Sequence, residues 1–160
     1  MADEGALKTS ASRVQTALEA LGLPVAVLQM PATTRTAQDA ASAIGCTVGQ
    51  IVKSLVFQGI ESGKPYLILA SGPNRVNEAS FGVLAGESIQ RAKPDFVREC
   101  TGFAIGGVPP LGHSSRLPTW MDEELFVYET VWAAAGTPES VFAIAPKDLA
   151  SATIATIIRL

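Results

Sequence analysis

Residues 53–60, KSLVFQGI, and 65–71, PYLILAS, constrain this chain more than any other stretch. Each is short, largely apolar and rich in β-branched and aromatic residues, and the intervening ESGK reads as a turn. The pair predicts two adjacent strands. Extending the first run backwards to QIVKSLVF puts Lys53 inside a strand with little polarity on either face. Alternation places Lys53 on one face with Leu55 and Phe57, and Val52, Ser54 and Val56 on the other.

Helices and further strands surround this pair. Leu7, Val14, Leu18 and Leu21 predict a helix over about 8–21, stopped by Gly22 and Pro24. PVAVLQM predicts a short strand, and Thr36 caps a second helix through Ala43, ended by Gly45. Asn77 starts a helix across EASFGVLAG, with Gly86 after it. A strand near SIQRA, a helix near PDFVREC and a strand at GFAIG follow. LPTWMD, LFVYET and SVFAIA add strand candidates, and PKDLASAT suggests a last helix. Strands and helices mix without strict alternation, which favours an α+β fold around a curved mixed sheet over a doubly wound parallel one. The 160 residues suit one domain, 1–160, and 48% hydrophobic with 17% charged residues suits a compact chain. A chain of this size buries roughly 70% of its unfolded surface, so it needs no disulfide or metal to fold.

Composition removes several functional classes. A net charge of −3 argues against a general nucleic-acid coat, although a local basic patch remains compatible with it. Cys46 and Cys100 lie far apart with no CxxC spacing, which points to two thiols in a reducing cytoplasm rather than a disulfide framework or zinc site. The polar, acidic start MADEGALKTS is unlike a signal peptide, and no apolar run approaches the roughly 20 residues that span a bilayer. A cytoplasmic protein is expected.

The glycine- and proline-rich stretch TGFAIGGVPPLGH, residues 101–113, holds the only histidine, His113. GVPPLGHS approaches the phosphate-loop spacing G-x-x-x-x-G-K-[ST], but Pro109 and Pro110 lack the N–H groups that cradle phosphates, and His113 replaces the lysine. No G-x-S-x-G elbow or H-x-E…P-C-x-x-C deaminase pattern occurs, and one histidine with separated cysteines cannot build a common metal centre. No cofactor or metal is expected, and any chemistry must rest on few side chains plus backbone.

Lys53 remains the conspicuous group. It either snorkels to solvent from the strand end or lines a pocket and anchors an anionic or carbonyl group of a ligand. ASGPNRVN, residues 70–77, is a turn with a helix cap at Asn77 and also brings Ser71 and Arg75 close in sequence. For Asp122 and Glu123, a turn or cap role outweighs acid/base work.

VKSLVF, A-S-G-x-x-R-V-N, the G-G-V-P-P loop, M-D-E-E-L and the VWAAAGTPES–VFAIAP ending occur in one order over residues 10–155. In that order they resemble the YbaK-like, prolyl-tRNA-synthetase-associated editing domains. The resemblance implies one compact domain with a mixed, partly barrel-like sheet flanked by helices. It also implies hydrolysis, in trans, of the ester joining a wrong amino acid to the terminal adenosine of a tRNA, most often tRNA(Pro). An aminoacyl ester is already activated, so positioning water and stabilising the oxyanion can suffice. In such proteins the ribose hydroxyl of the substrate assists.

Under that resemblance Lys53 matches the family's strand lysine and anchors the substrate. Gly106–Pro110 matches its G-x-x-x-P loop, with Gly106 and Gly107 offering backbone groups near the ester and Val108, Pro109 and Pro110 shaping the pocket. His113 either tunes the amino-acid pocket or flanks it. Ser71, Arg75 and Asn77 belong to the rim, and Arg91, Lys93 and Arg98 face the acceptor stem through salt-sensitive contacts. Val108 departs from the small polar residue of cysteine-removing relatives, which counts against cysteine without naming a replacement; alanine, serine, cysteine and threonine are the candidates for the amino acid removed. Prolyl-tRNA synthetase is a candidate non-covalent partner. The competing reading is a non-catalytic module that binds a nucleotide, an aminoacyl-tRNA or the synthetase. The intact lysine and loop favour the enzyme.

Overall fold

A computed structural model describes the backbone of residues 2–30 and 36–160, with side chains from Thr9 onward. Helix α1 (Ala2–Ala20) buries Ala11, Val14 and Leu18. Strand β1 (Leu28–Gln29) follows, then α2 (Ala37–Ile44), whose first turn is capped by the Thr36 hydroxyl accepting from Asp39 N, with Gly45 left-handed at its end. A 3₁₀ turn, Val48–Gln50, leads into β2 (Ile51–Gly59) and β3 (Pro65–Ser71). Next come α3 (Glu78–Ala85), β4 (Ile89–Arg91), α4 (Pro94–Thr101) and β5 (Thr119–Asp122). After a second 3₁₀ segment, Glu123–Val127, the chain finishes with β6 (Val131–Ala134), β7 (Ser140–Ile144), α5 (Pro146–Thr153) and β8 (Thr156–Ile158).

The strands form one mixed sheet in the order β1-β7-β6-β2-β3-β5-β8, with β4 also paired to β2. The expected α+β class and mixed sheet are present. The sheet is open rather than closed into a barrel, its ends being β1 and β8. The central pair explains the near-continuous apolar runs. Val52 and Val56 of β2 with Leu67 and Leu69 of β3 join the main core beneath α1. Phe57, Tyr66 and Ile68 on the opposite face pack with Phe81 and Ile89. Both faces of β2–β3 are therefore covered, as two-sided apolar strands require.

Three expected strands change. PVAVLQM contributes only Leu28–Gln29. GFAIG carries no strand: Gly102 is the left-handed cap of α4, and Gly107 N donates to Ala104 O in a tight turn. LFVYET carries no strand: Leu125–Val127 lie in the 3₁₀ segment, because Asp122 accepts from Glu124 N and starts a helical turn there. Two strands without a strong sequence pattern, β6 and β8, are instead held by their neighbours.

Candidate active site

The functional geometry begins with a fork in the sheet. On the edge of β2 away from β3, parallel β6 pairs with Ile51 and Val52, and antiparallel β4 pairs with Phe57–Gly59. Ala92 N donates to Val56 O at 3.1 Å, extending the second arm by one bond. Lys53–Leu55 therefore lie where the two arms diverge. A cavity of about 350 Å³ opens there, bounded by α2, Val97 of α4, the Ile105–Val108 loop and Trp132–Ala134 of β6. Its walls include the consecutive residues Ile51–Val56, so it opens along the unpaired edge of β2.

Lys53 lines this cavity and is half-buried. Its ammonium donates to Asn74 O at 2.5 Å. The turn supplying that carbonyl is clamped by the fully buried Asp122, whose Oδ2 accepts from Ser71 N at 3.0 Å and Asn74 Nδ2 at 2.8 Å. Asp122 Oδ1 meanwhile accepts from Glu124 N. One carboxylate thus ties β5, the following 3₁₀ turn and the 71–74 turn to a single position for the lysine. Burial lowers the Lys53 pKa from its ordinary value, the nearby guanidinium groups of Arg75 and Arg91 lower it further, and Asp122 partly offsets them. Lys53 and Arg91 line the cavity and Arg75 adds its charge from outside it, a cationic setting that favours an anionic ligand.

The glycine–proline loop divides its tasks. Gly106 lines the cavity with φ +100°, a backbone conformation that favours glycine, and its missing side chain leaves the approach open. Gly107 faces the protein instead. Its carbonyl accepts from Gly136 N at 2.9 Å, and a Cβ there would lie 2.7 Å from Thr137 N and Cα. Val108 is buried and lines the cavity. Pro109 and Pro110 are buried behind it.

His113 also works behind the wall. Its Nε2 donates to Pro109 O at 2.7 Å, which assigns the proton to Nε2 because a carbonyl only accepts. Its ring meets Phe103 edge to face, and Arg13 of α1 stacks on the same Phe103 while donating to Gly102 O. Burial outweighs the Pro109 bond and lowers the His113 pKa below the usual 6.5. The folded state therefore favours the neutral ring, so the stability it holds is complete above about 6.5 and is lost as pH falls below that value. His113→Phe is expected to shrink the difference in melting temperature between pH 7.5 and pH 5.5. An undiminished difference would assign that acid sensitivity to other groups.

The remaining sequence candidates are spread out. Ser71 is buried and donates its hydroxyl to Gly49 O at 2.7 Å, and Asn77 caps α3 by accepting from Ser80 N. Arg75 is exposed and acts on Lys53 at a distance. Arg91 lines the cavity and lies over the Phe57 ring, while Lys93 and Arg98 are exposed at the start and last turn of α4. Sequence reasoning missed Ile105, Val97 and Trp132 as lining residues, and missed Asn74 and Asp122 as the support of Lys53. Apolar residues carry no chemical signal, and the Asn74 contribution is a main-chain carbonyl that any residue could supply. Among the described residues no cluster of potential ligands could hold a metal ion, and no helix is long and apolar enough to cross a membrane.

An open α+β sheet that forks around a cationic side chain and a glycine-lined wall, with no carboxylate or imidazole among the described lining residues, suits a hydrolase of activated esters. The aminoacyl-tRNA editing domain pattern matches residues 31–152, and the chain belongs to that family, a family of aminoacyl-tRNA deacylases. It is 32% identical over 123 residues to the uncharacterised protein YwhH of Bacillus subtilis, covering 77% of this chain and 78% of that one. It is 25% identical over 118 residues to EbsC of Enterococcus faecalis, a candidate Cys-tRNA(Pro)/Cys-tRNA(Cys) deacylase, covering 73% and 71% of the two chains. A solved structure of a candidate trans-editing enzyme for prolyl-tRNA synthetase superposes with a TM-score of 0.89 at 51% identity, covering 94% of this chain and 96% of that one.

Proposed function

We propose that this protein clears tRNA(Pro) carrying a small wrong amino acid, acting on the charged tRNA after its release from the synthetase. The observation that carries the reading is the Lys53 ammonium, held by Asn74 O and lining the same cavity as Gly106. Lys53, Arg75 and Arg91 draw the phosphate-bearing acceptor end toward the fork, and the amino acid enters it. Water attacks the ester carbonyl. Lys53 stabilises the negative charge that develops on the carbonyl oxygen, the bond to the ribose oxygen breaks, and that oxygen takes the proton from the attacking water. The described lining residues supply no general base, so proton movement falls to water and the ribose hydroxyl of the substrate. Val108 and the closed packing of Gly107 keep the wall rigid, which fixes the ester against the lysine. Arg91, Lys93 and Arg98 extend the cationic surface toward the acceptor stem, and prolyl-tRNA synthetase is the natural source of the substrate.

The test is a panel of Ala-, Ser-, Cys- and Thr-charged tRNA(Pro), each followed for loss of its amino acid. At least one should be hydrolysed well above the rate in buffer. Tight binding with no hydrolysis of any of them would instead support a binding module built on the same fold.

A further inference from the structure

Ser54 Oγ is buried and has no hydrogen-bond partner among the described residues, a condition that native structures seldom tolerate without a reason. The residue sits at the fork. Backbone groups alternate between the two edges of a strand, and those of Val56 and Ile60 face the β4 side, where Val56 O accepts from Ala92 N and Ile60 N donates to Ser88 O. Ser54 shares that parity and lies beyond the reach of either arm's pairing. Its side chain stands on the face opposite Lys53, between buried Val52 and Val56 and across from Leu69. Val97, Val108 and Ala133 complete an apolar surround in the same cavity.

We propose that Ser54 determines the amino-acid specificity of the site, and that the residue it selects carries a side-chain hydroxyl, serine or threonine. This deepens the deacylase reading and rests on it. With the ester at Lys53, the amino-acid side chain occupies the cavity that Ser54 also lines, and rotation about the Ser54 χ1 turns its enclosed Oγ toward that side chain. A hydroxyl of the substrate and that of Ser54 satisfy each other, since each both donates and accepts. Alanine would leave Ser54 unpaired in an apolar chamber, and a cysteine thiol would be a weak substitute. The α-ammonium is the wrong partner, because a charged group needs several acceptors and this surround offers one hydroxyl. Sites built around a substrate hydroxyl discriminate strongly against analogues that lack it.

The experiment compares kcat/KM for Ser-, Thr- and Ala-charged tRNA(Pro) in the wild type and in Ser54→Ala. Binding of the non-hydrolysable 3′-amide-linked seryl and alanyl adenosines is measured alongside. The wild type should prefer the seryl or threonyl ester over the alanyl ester by about tenfold or more. Ser54→Ala should reduce that ratio by about tenfold in both assays while melting no lower than the wild type, since the lost hydroxyl has no hydrogen-bond partner among the described residues. An equal loss on all substrates would overturn the proposal, assigning Ser54 to a group common to every aminoacyl ester. A wild-type preference for alanine, or no preference between the analogues, would also overturn it. Ser54-dependent preference for the seryl analogue without any hydrolysis would uphold the specificity while defeating the deacylase reading.

Discussion

Lys53→Ala is expected to lower kcat/KM for deacylation by on the order of 10²–10³-fold, the usual consequence of removing one group that stabilises a developing oxyanion. The fold should survive. Burial and the neighbouring Arg75 and Arg91 charges disfavour the ammonium in the folded state, so its removal relieves a cost instead of breaking a support. Single-turnover deacylation with a thermal melt separates the two effects, and undiminished deacylation would remove Lys53 from the mechanism. The same environment sets a pH dependence. Because the folded-state pKa lies below 10.5, the charged form and the activity that needs it should be lost at lower pH than for an ordinary lysine. Activity that declines only above the ordinary lysine range would contradict this.

Asp122→Ala should have the largest effect on stability, roughly 3 kcal/mol, because it strips an acceptor from buried Ser71 N, from Glu124 N and from the Asn74 amide. The 71–74 turn then loses its anchor, and the Asn74 carbonyl no longer meets Lys53 in one place, so deacylation should fall as well. Asp122→Asn keeps the volume and part of the hydrogen bonding and should cost less stability. Removing the Asp122 charge would also lower the Lys53 pKa further, moving the alkaline loss of activity to lower pH. Chemical denaturation and a pH–rate profile read the two consequences. If Asp122→Ala stayed within about 0.5 kcal/mol of the wild type, the buried clamp would contribute little to the fold.

Much of the architecture is local and was legible in the residues. Thr36 and Asn77 accept the expected capping bonds, and Gly45 and Gly86 end their helices in the left-handed conformation. These features depend on neighbours three or four positions away. GFAIG and LFVYET misled because each has strand composition, while the conformation was settled by a cap outside the apolar run: Gly102 at the end of α4 and Asp122 ahead of Glu124. β6 and β8 show the converse, since VWAA and TII become strands by pairing with β2 and β5.

The site divides along the same line. Sequence alone determined that a lysine sits in an apolar strand and that a glycine–proline wall follows some fifty residues later, because alternation and backbone restriction are properties of short stretches. Only the tertiary structure decided that β4 and β6 part at Lys53, that Gly106 faces the cavity while Gly107 packs on Thr137, and that Ser54 Oγ has no hydrogen-bond partner among the described residues. Those outcomes depend on which distant strand fills each edge of β2. Such pairing is fixed by the packing of the whole sheet, and short-range residue patterns do not encode it.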